Sequence, residues 1–174
     1  MRPRLDWYLP RPGAALLLAL LTAGAALAQG GSLPSWKVHR PAGVARSSLA
    51  FRLVQAHPGP GTLKLQGPGG EPLIVSAQAI LTQDDITQVE VLEIPRWRED
   101  VVTQYVINLY FKPDAARRFK KFTGDHMGST LAVVVDGTVL MTPLIQTPIE
   151  SPAMIQAGYG TRADATRVAE RLAP

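Results

Sequence analysis

The stretch Leu131-Ala-Val-Val-Val-Asp136-Gly137-Thr138-Val-Leu-Met141 decides the fold of this 174-residue chain. Two runs rich in β-branched residues are joined by Asp136 and Gly137 alone. A two-residue connection of that type is the strongest short-range indication of a β-hairpin. The sequence therefore predicts two antiparallel strands, over 131–135 and 138–141.

A strand and a helix are predicted immediately before the hairpin. Apolar and polar side chains separate onto two faces from Gln104 to Phe111, with the period of two typical of a strand. Pro113 and Asp114 then begin a helix, because proline suits the first turn and an acid there favours the helix dipole. The inward face of this helix is predicted to consist of Ala115, Phe119 and Phe122. Four basic residues fall mostly outward: Arg117, Arg118, Lys120 and Lys121.

Shorter patterns predict the remaining elements. Further strands are expected over 49–56, 62–66, 73–80, 89–94 and 153–157. Thr82-Gln-Asp-Asp85 and Thr161-Arg-Ala-Asp164 are capping-box patterns, so we expect a short helix to about Val89 and a last helix near the C-terminus. The last helix has an apolar face: Ala165, Val168, Ala169 and Leu172. This order of elements predicts an α+β fold, with helices packed on one face of a mostly antiparallel sheet.

The N-terminus has the pattern of a secretory signal peptide. Three arginines precede an apolar run over residues 14–28, which ends in Ala26-Leu27-Ala28. Small residues at those positions are typical of a signal peptidase site, so we expect cleavage between Ala28 and Gln29. The alternative is an uncleaved membrane anchor, although the run is shorter than the roughly 20 residues that span a bilayer. The mature chain is accordingly expected in the periplasm, with no stable membrane span after signal removal.

Composition divides the mature chain into a flexible lead-in over 29–46 and a domain over 47–174. The chain has 15 Gly and 15 Pro, and many of them interrupt the pattern within 57–72. The formal net charge is +4, but the leader over 1–28 holds three Arg and one Asp and so carries +2 of it. The remaining excess is too small to indicate a nucleic-acid partner. With no cysteine in the chain, disulfides, thiol catalysis and zinc–thiolate sites are excluded.

No catalytic, cofactor or metal site is predicted. The three histidines (His39, His57 and His126) are isolated, and the adjacent acids Asp84-Asp85 and Glu99-Asp100 lack the separation of a general acid–base pair. The basic cluster over 117–121 is interpreted as a solvated helix face, and Trp97 as either a loop contact or a packed residue. Three methionines fill the core or line an adaptable groove: Met127, Met141 and Met154.

Several motifs together resemble the head subdomain in the first large periplasmic loop of SecD and SecDF, the accessory subunit of the bacterial protein-export translocase. The most specific are Asn108-Leu-Tyr-Phe-Lys-Pro-Asp-Ala-Ala-Arg-Arg-Phe119 and Leu131-Ala-Val-Val-Val-Asp-Gly-Thr-Val139. Weaker matches extend the similarity over 49–172. Two residues depart from the family pattern: Lys112 stands in place of a good helix cap, and Ala115 where glycine is common.

The resemblance implies a stand-alone, non-enzymatic module that binds unfolded or secreted polypeptide, or an envelope or translocase protein. It implies no catalytic residue, and the proton-driven cycle of the family depends on a membrane part that we do not expect here. The alternative function is an envelope ligand-binding protein or hydrolase on a similar α+β scaffold. That alternative predicts a pocket in which polar groups such as Asp84, His126 or Asp136 converge. A structural spacer is the third hypothesis.

Overall fold

The computed structural model describes residues 33–94, 104–159 and 161–174. The described residues form ten strands, one short 3-10 helix and two α-helices. In chain order these are β1 (Ser35–Val38), β2 (Leu49–Leu53), β3 (Thr62–Gln66), β4 (Pro72–Ser76), β5 (Leu81–Thr82), the 3-10 helix (Gln83–Asp85), β6 (Ile86–Ile94), β7 (Gln104–Phe111), α1 (Pro113–Asp125), β8 (Leu131–Val135), β9 (Thr138–Met141), β10 (Ala153–Tyr159) and α2 (Arg162–Leu172).

The strands form two sheets, where the sequence patterns had suggested one. The four-stranded sheet has the order β1-β6-β7-β10, and the six-stranded sheet has the order β4-β3-β9-β8-β2-β5. Among the described strands the pair β3–β9 is parallel and the other pairs are antiparallel. The α+β class with mostly antiparallel strands is therefore confirmed.

The predicted hairpin is confirmed and lies at the centre of the six-stranded sheet. Asp136 and Gly137 both have positive φ, 49° and 81°, which is the backbone that a two-residue turn of this type requires. All five residues of β8 are buried, and successive side chains point to opposite faces. Leu131, Val133 and Val135 lie in the main core, whereas Ala132 and Val134 lie in a second, smaller core.

The second core exists because the six-stranded sheet curls. Val54, just after β2, forms a bridge with Val75 of β4, and the Gln55 amide donates to the Ile74 carbonyl at 2.8 Å. The strand at one end of the sheet thus meets a strand near the other end, and the concave face between them holds buried Val75 and Val139. The convex face is turned toward the main core.

Both α-helices were predicted, with one error in the buried face of α1. The apolar face of α2 is buried as expected, and the Thr161 hydroxyl accepts from the Asp164 amide at 3.2 Å. In α1, Ala115 and Phe119 are buried as predicted, but Thr123 occupies the third buried position and Phe122 is half-buried. The spacing of four residues keeps 115, 119 and 123 on one stripe, and Phe122 falls at its margin. Lys112 provides no side-chain cap, as its departure from the family pattern had suggested.

Two predicted boundaries near the 3-10 helix are wrong. The capping box does form, since Asp85 accepts from the Thr82 amide at 2.9 Å, but the helical turn ends at Asp85 instead of continuing to Val89. From Ile86 the chain pairs with β7, so tertiary pairing of a β-branched segment overrides the local helix start. The strand expected over 73–80 ends at Ser76, where its pairing with β3 stops.

The lead-in over 29–46 was expected to be flexible, and this is wrong for Ser35–Val38. These residues form edge strand β1, which pairs antiparallel with β6. Trp36 packs against the main core, and the Arg162 guanidinium of α2 lies 3.7 Å from the centre of its ring. A four-residue strand is too short to show periodicity in the sequence. Its conformation is stabilised by the partner strand β6 and by α2. Residues 1–32, including the leader and Gln29, lie outside the described residues.

Three phenylalanines join the two sheets to α1. Phe51 of β2, Phe111 of β7 and Phe119 of α1 meet edge to face, with ring centroids 5.2 to 5.9 Å apart. Phe119 is fully buried, and Phe51 and Phe111 are nearly so. Edge-to-face geometry is favourable for aromatic rings beyond the area they bury. The triad is therefore a contact in which the six-stranded sheet, the four-stranded sheet and α1 all meet.

Truncating the centre of this triad should strongly destabilise the domain. Phe119→Ala is expected to lower the free energy of unfolding by about 3–5 kcal/mol, because it removes a buried ring and leaves a cavity. Phe122→Ala, on the same helix but half-buried, is the matched control, with an expected loss of about 1 kcal/mol. Urea denaturation monitored by circular dichroism measures both. Equal losses for the two variants would contradict the role given to the triad.

Candidate interaction surface

The loop over 143–152 is fastened to α1 and to the four-stranded sheet. The Ile149 amide donates to the buried Thr123 hydroxyl at 2.8 Å, and the Phe111 amide donates to the Ser151 hydroxyl at 3.1 Å. Lys120 of α1 forms an ion pair with Glu150 at 2.6 Å. Ile149 itself is buried. The loop thus has a defined backbone despite its prolines.

The same loop pairs with the chain that leaves α1. The Gly128 amide donates to the Ile145 carbonyl at 2.8 Å, and the Ile145 amide donates to the Ser129 carbonyl at 2.9 Å. Gly128 has a φ of +82°, a conformation that glycine adopts without strain. A bridge between Thr130 and Leu144 extends this pairing. Two short segments are thereby fixed side by side at the C-terminal end of α1.

Large apolar side chains project from these two segments into solvent. Met127 is 59% exposed and Leu144 is 48% exposed. Pro148, also exposed, lies on α1, since a Cβ built on Gly124 would be 3.5 Å from the Pro148 Cγ. We call Met127, Leu144 and Pro148 the α1–loop surface. Apolar side chains held on a fixed backbone are a feature of binding surfaces.

The basic residues of α1 do not form an anion site. Each of the four has an acidic partner: Arg117 with Asp114, Arg118 with Asp85, Lys120 with Glu150, and Lys121 with Asp125. Their charges are locally balanced, and their side chains lie outward as predicted. The helix face is therefore interpreted as a solvated, ion-paired surface.

The three residues named for the hydrolase alternative have separate partners. Asp84 pairs with Arg46 at 3.1 Å. Asp136 accepts from the Ser48 amide at 2.8 Å and from Arg171 at 2.8 Å, which ties the hairpin turn to α2. These contacts hold the chain around 46–48 against two turns, so they are structural.

His126 lies at the end of α1, away from those contacts. Its ring stacks on Phe122 with centroids 4.0 Å apart, and its Nδ1 lies 2.8 Å from the Phe122 carbonyl oxygen. Because a carbonyl only accepts, the hydrogen bond assigns a proton to Nδ1. This histidine closes the last turn of the helix.

Two cavities in the described part of the chain are lined by other residues. An internal cavity of about 10 Å³ is lined by apolar residues from both sheets, α1 and the loop, among them Phe51, Phe119 and Ile149. A shallow depression on the outer side of α2 is lined by Arg162, Ala163, Thr166, Arg167 and Glu170. Neither includes Asp84, His126 or Asp136. Among the described residues, no group of three or more metal-ligating side chains clusters together.

The methionines and the tryptophan loop considered in the sequence do not form a common site in the described residues. Met141 is buried in the main core, whereas Met127 is on the surface, so the three methionines do not act as one groove. The side chain of Met154 and the whole segment 95–103, with Trp97, Glu99 and Asp100, lie outside the described residues.

A polar network on the four-stranded sheet was not anticipated from the sequence. The Tyr110 hydroxyl donates to Glu90 Oε2 at 2.7 Å, and the Gln88 amide donates to Glu90 Oε1 at 2.7 Å. Asn108, paired with Glu90 in register, is buried with its Oδ1 unpaired. Polar residues alternate along β6 and β7, but they could be assigned to one face only if the register between the two strands had been known.

Burial raises the pKa of Tyr110 above its ordinary value of 10.0, and the hydrogen bond and charge of Glu90 raise it further. The folded state then resists ionisation of the phenol more than the unfolded state does. The stability from this group is complete below pH 10 and is lost as the pH rises through the folded-state pKa.

The stability advantage of the wild type over Tyr110→Phe should therefore shrink as the pH rises above 10.0. The substitution removes the ionisable hydroxyl of Tyr110 together with its hydrogen bond to Glu90. Urea denaturation of both proteins at several pH values from 9 to 11 measures the difference. An advantage that stays constant over that range would show that burial and Glu90 do not act on this phenol.

The fold thus defines an α+β domain with two mostly antiparallel sheets, whose described residues show an exposed apolar surface and no convergence of the candidate polar groups. Residues 61–173 match the family of the SecDF P1 head subdomain, and the chain belongs to that family. The P1 head subdomain of SecDF is a periplasmic domain. Neither described helix has the length and apolar character needed to cross a bilayer.

Two solved structures share the fold. One, of SecDF described as a membrane component that enhances protein export, has a TM-score of 0.53 and 23% identity, and the match covers 74% of this chain and 62% of that one. The other, SecDF in a super-membrane-facing form, has a TM-score of 0.52 and 22% identity, covering 74% of this chain and 19% of that one. This chain thus spans less than two thirds of either. No curated protein matches the sequence.

Proposed function

We propose that this protein is a non-enzymatic binding module of the export pathway, and that the α1–loop surface contacts extended polypeptide. The observation that carries the proposal is the exposure of Met127 and Leu144 on two segments that hydrogen-bond to each other. Membership of the SecDF P1 head family supports a role in protein export. The separate, structural contacts of Asp84, His126 and Asp136 favour binding over hydrolysis.

The physical character of the surface suits an unfolded chain. Methionine is unbranched and adapts to varied partners, and leucine adds a branched apolar contact. Burying a fully exposed side chain of this size contributes about 1.5–3 kcal/mol, and these two are about half exposed. Their combined contribution of about 1.5–3 kcal/mol gives weak binding, which fits a polypeptide that is contacted and then released.

Ion pairing narrows the kind of partner. Lys120 and Glu150 border the loop and balance each other. A surface without a net local charge has no means of selecting an acidic or a basic segment. We therefore propose that the surface recognises a polypeptide by its apolar side chains. An envelope or translocase protein is the alternative partner.

Photo-crosslinking tests this surface. A photoreactive phenylalanine analogue at Leu144 should crosslink to an unfolded secretory reporter, whereas the same analogue at exposed Lys64 on β3 should not. Mass spectrometry of the products from cells distinguishes transported chains from an envelope protein. Equal crosslinking at both positions, or crosslinks to one folded envelope protein alone, would contradict polypeptide binding here.

A variant pair gives the same test in solution. Leu144→Ser is expected to raise the dissociation constant of the unfolded reporter about fivefold, the equivalent of roughly 1 kcal/mol. Gln146→Ser, also exposed in the loop, should leave it unchanged. Fluorescence anisotropy measures both, and circular dichroism verifies that both variants are folded.

We further propose export to the periplasm through a signal peptide cleaved between Ala28 and Gln29, which leaves a mature chain over 29–174 whose sheet includes β1. The mature protein should begin at Gln29, because Ala26 and Ala28 present small side chains to the peptidase. N-terminal sequencing of periplasmic protein tests this. The double variant Ala26→Phe and Ala28→Phe should remain uncleaved, while Ala25→Phe serves as its control. Full-length wild-type chain retained in the membrane would instead establish an N-terminal anchor.

A further inference from the structure

Met127 differs chemically from the other apolar residues of the α1–loop surface. Its side chain ends in a thioether and is 59% exposed, and it stands between the end of α1 and the Gly128 turn. Leu144 and Pro148 carry only carbon at their tips. The surface therefore has one group that a two-electron oxidant can convert from apolar to polar.

A second methionine, Met141, provides a buried comparison within the same chain. Met141 is 7% exposed, and it packs among Phe51, Phe119 and Leu131 in the main core. Oxidants reach a sulfur at the surface far more readily than one surrounded by packed side chains. The chain also has no cysteine, so no thiol competes for the oxidant.

We propose that Met127 is a site of reversible oxidation to methionine sulfoxide, which switches the α1–loop surface from apolar to polar. The consequence for binding rests on the function proposed for that surface. The modification itself rests on the exposure and chemistry of the side chain.

The step is balanced with hydrogen peroxide as the oxidant. The sulfur lone pair attacks one peroxide oxygen and forms the S–O bond while the O–O bond breaks. The hydroxide that leaves takes up the proton of the transferred oxygen, and the products are sulfoxide and water. Sulfur loses two electrons and peroxide gains them, and methionine sulfoxide reductases reverse the change.

The oxidised side chain would weaken a purely apolar contact. A sulfoxide oxygen is a strong acceptor that must be desolvated when an apolar segment covers it. Because Met127 lies on the surface and outside the main core, the modification should leave the fold intact. The affinity of the surface for an apolar segment would then respond to oxidant without unfolding the domain.

Peptide mapping after timed exposure of the mature chain to hydrogen peroxide tests the modification. Met127 should oxidise about tenfold faster than Met141 in the folded protein, and the two rates should become equal in guanidinium chloride. Methionine sulfoxide reductases of both epimer specificities should restore Met127. Similar rates in the folded state, or sulfoxide at Met127 that resists both reductases, would overturn the proposal.

A second measurement tests the switch without relying on the ligand. Peroxide-treated wild type should be retained less on a hydrophobic-interaction column, and Met127→Leu should be retained equally before and after treatment. Unchanged retention of the oxidised wild type would overturn the switch.

Reporter binding then separates the two proposals. The dissociation constant of the unfolded reporter should rise about fivefold on oxidation of the wild type and stay constant for Met127→Leu. If untreated wild type binds no reporter, the proposed function fails, while mapping and retention still decide the modification.

Discussion

Contact between three phenylalanine rings is the constraint on which the rest of the structure depends. Phe51 comes from β2, which is distant in sequence from the neighbouring elements β7 and α1 that carry Phe111 and Phe119, and each ring meets the other two. The strands of the two sheets pair only within their own sheet, so side-chain packing is a main contact between the sheets. The α1–loop surface depends on this packing because α1, positioned by Phe119, carries Thr123, which holds the loop at Ile149.

Strand β8 contributes side chains to both cores of the structure. Its side chains alternate between the main core and the second core inside the curl, so a substitution on either face of β8 changes the packing of one core. The turn at Asp136 is tied in as well, since Asp136 accepts from the backbone near β2 and from Arg171 of α2. The described elements therefore behave as a single packed unit, and the apolar side chains at its surface are presented on a rigid support.

Local patterns were enough to predict the elements with strong local causes. The Asp136–Gly137 turn, the alternating strand β7 and the capped helix α2 each have a cause within a few residues. Strand β1 and the start of β6 at Ile86 could not be predicted, because their conformation comes from strands distant in sequence. The α1–loop surface was missed for a related reason. Met127 and Leu144 are 17 positions apart in the sequence, and only the pairing of Gly128 with Ile145 brings their segments together.

The curl of the six-stranded sheet has a consequence for the edges of that sheet. An exposed sheet edge offers unpaired amide and carbonyl groups to any extended segment nearby, and such pairing leads to aggregation. Here the bridge between Val54 and Val75 brings β4 against β2, and the opposite end of the sheet is the two-residue strand β5. Little edge is left for a passing chain to extend. The curl thereby removes from the six-stranded sheet the long open edge that would invite such pairing.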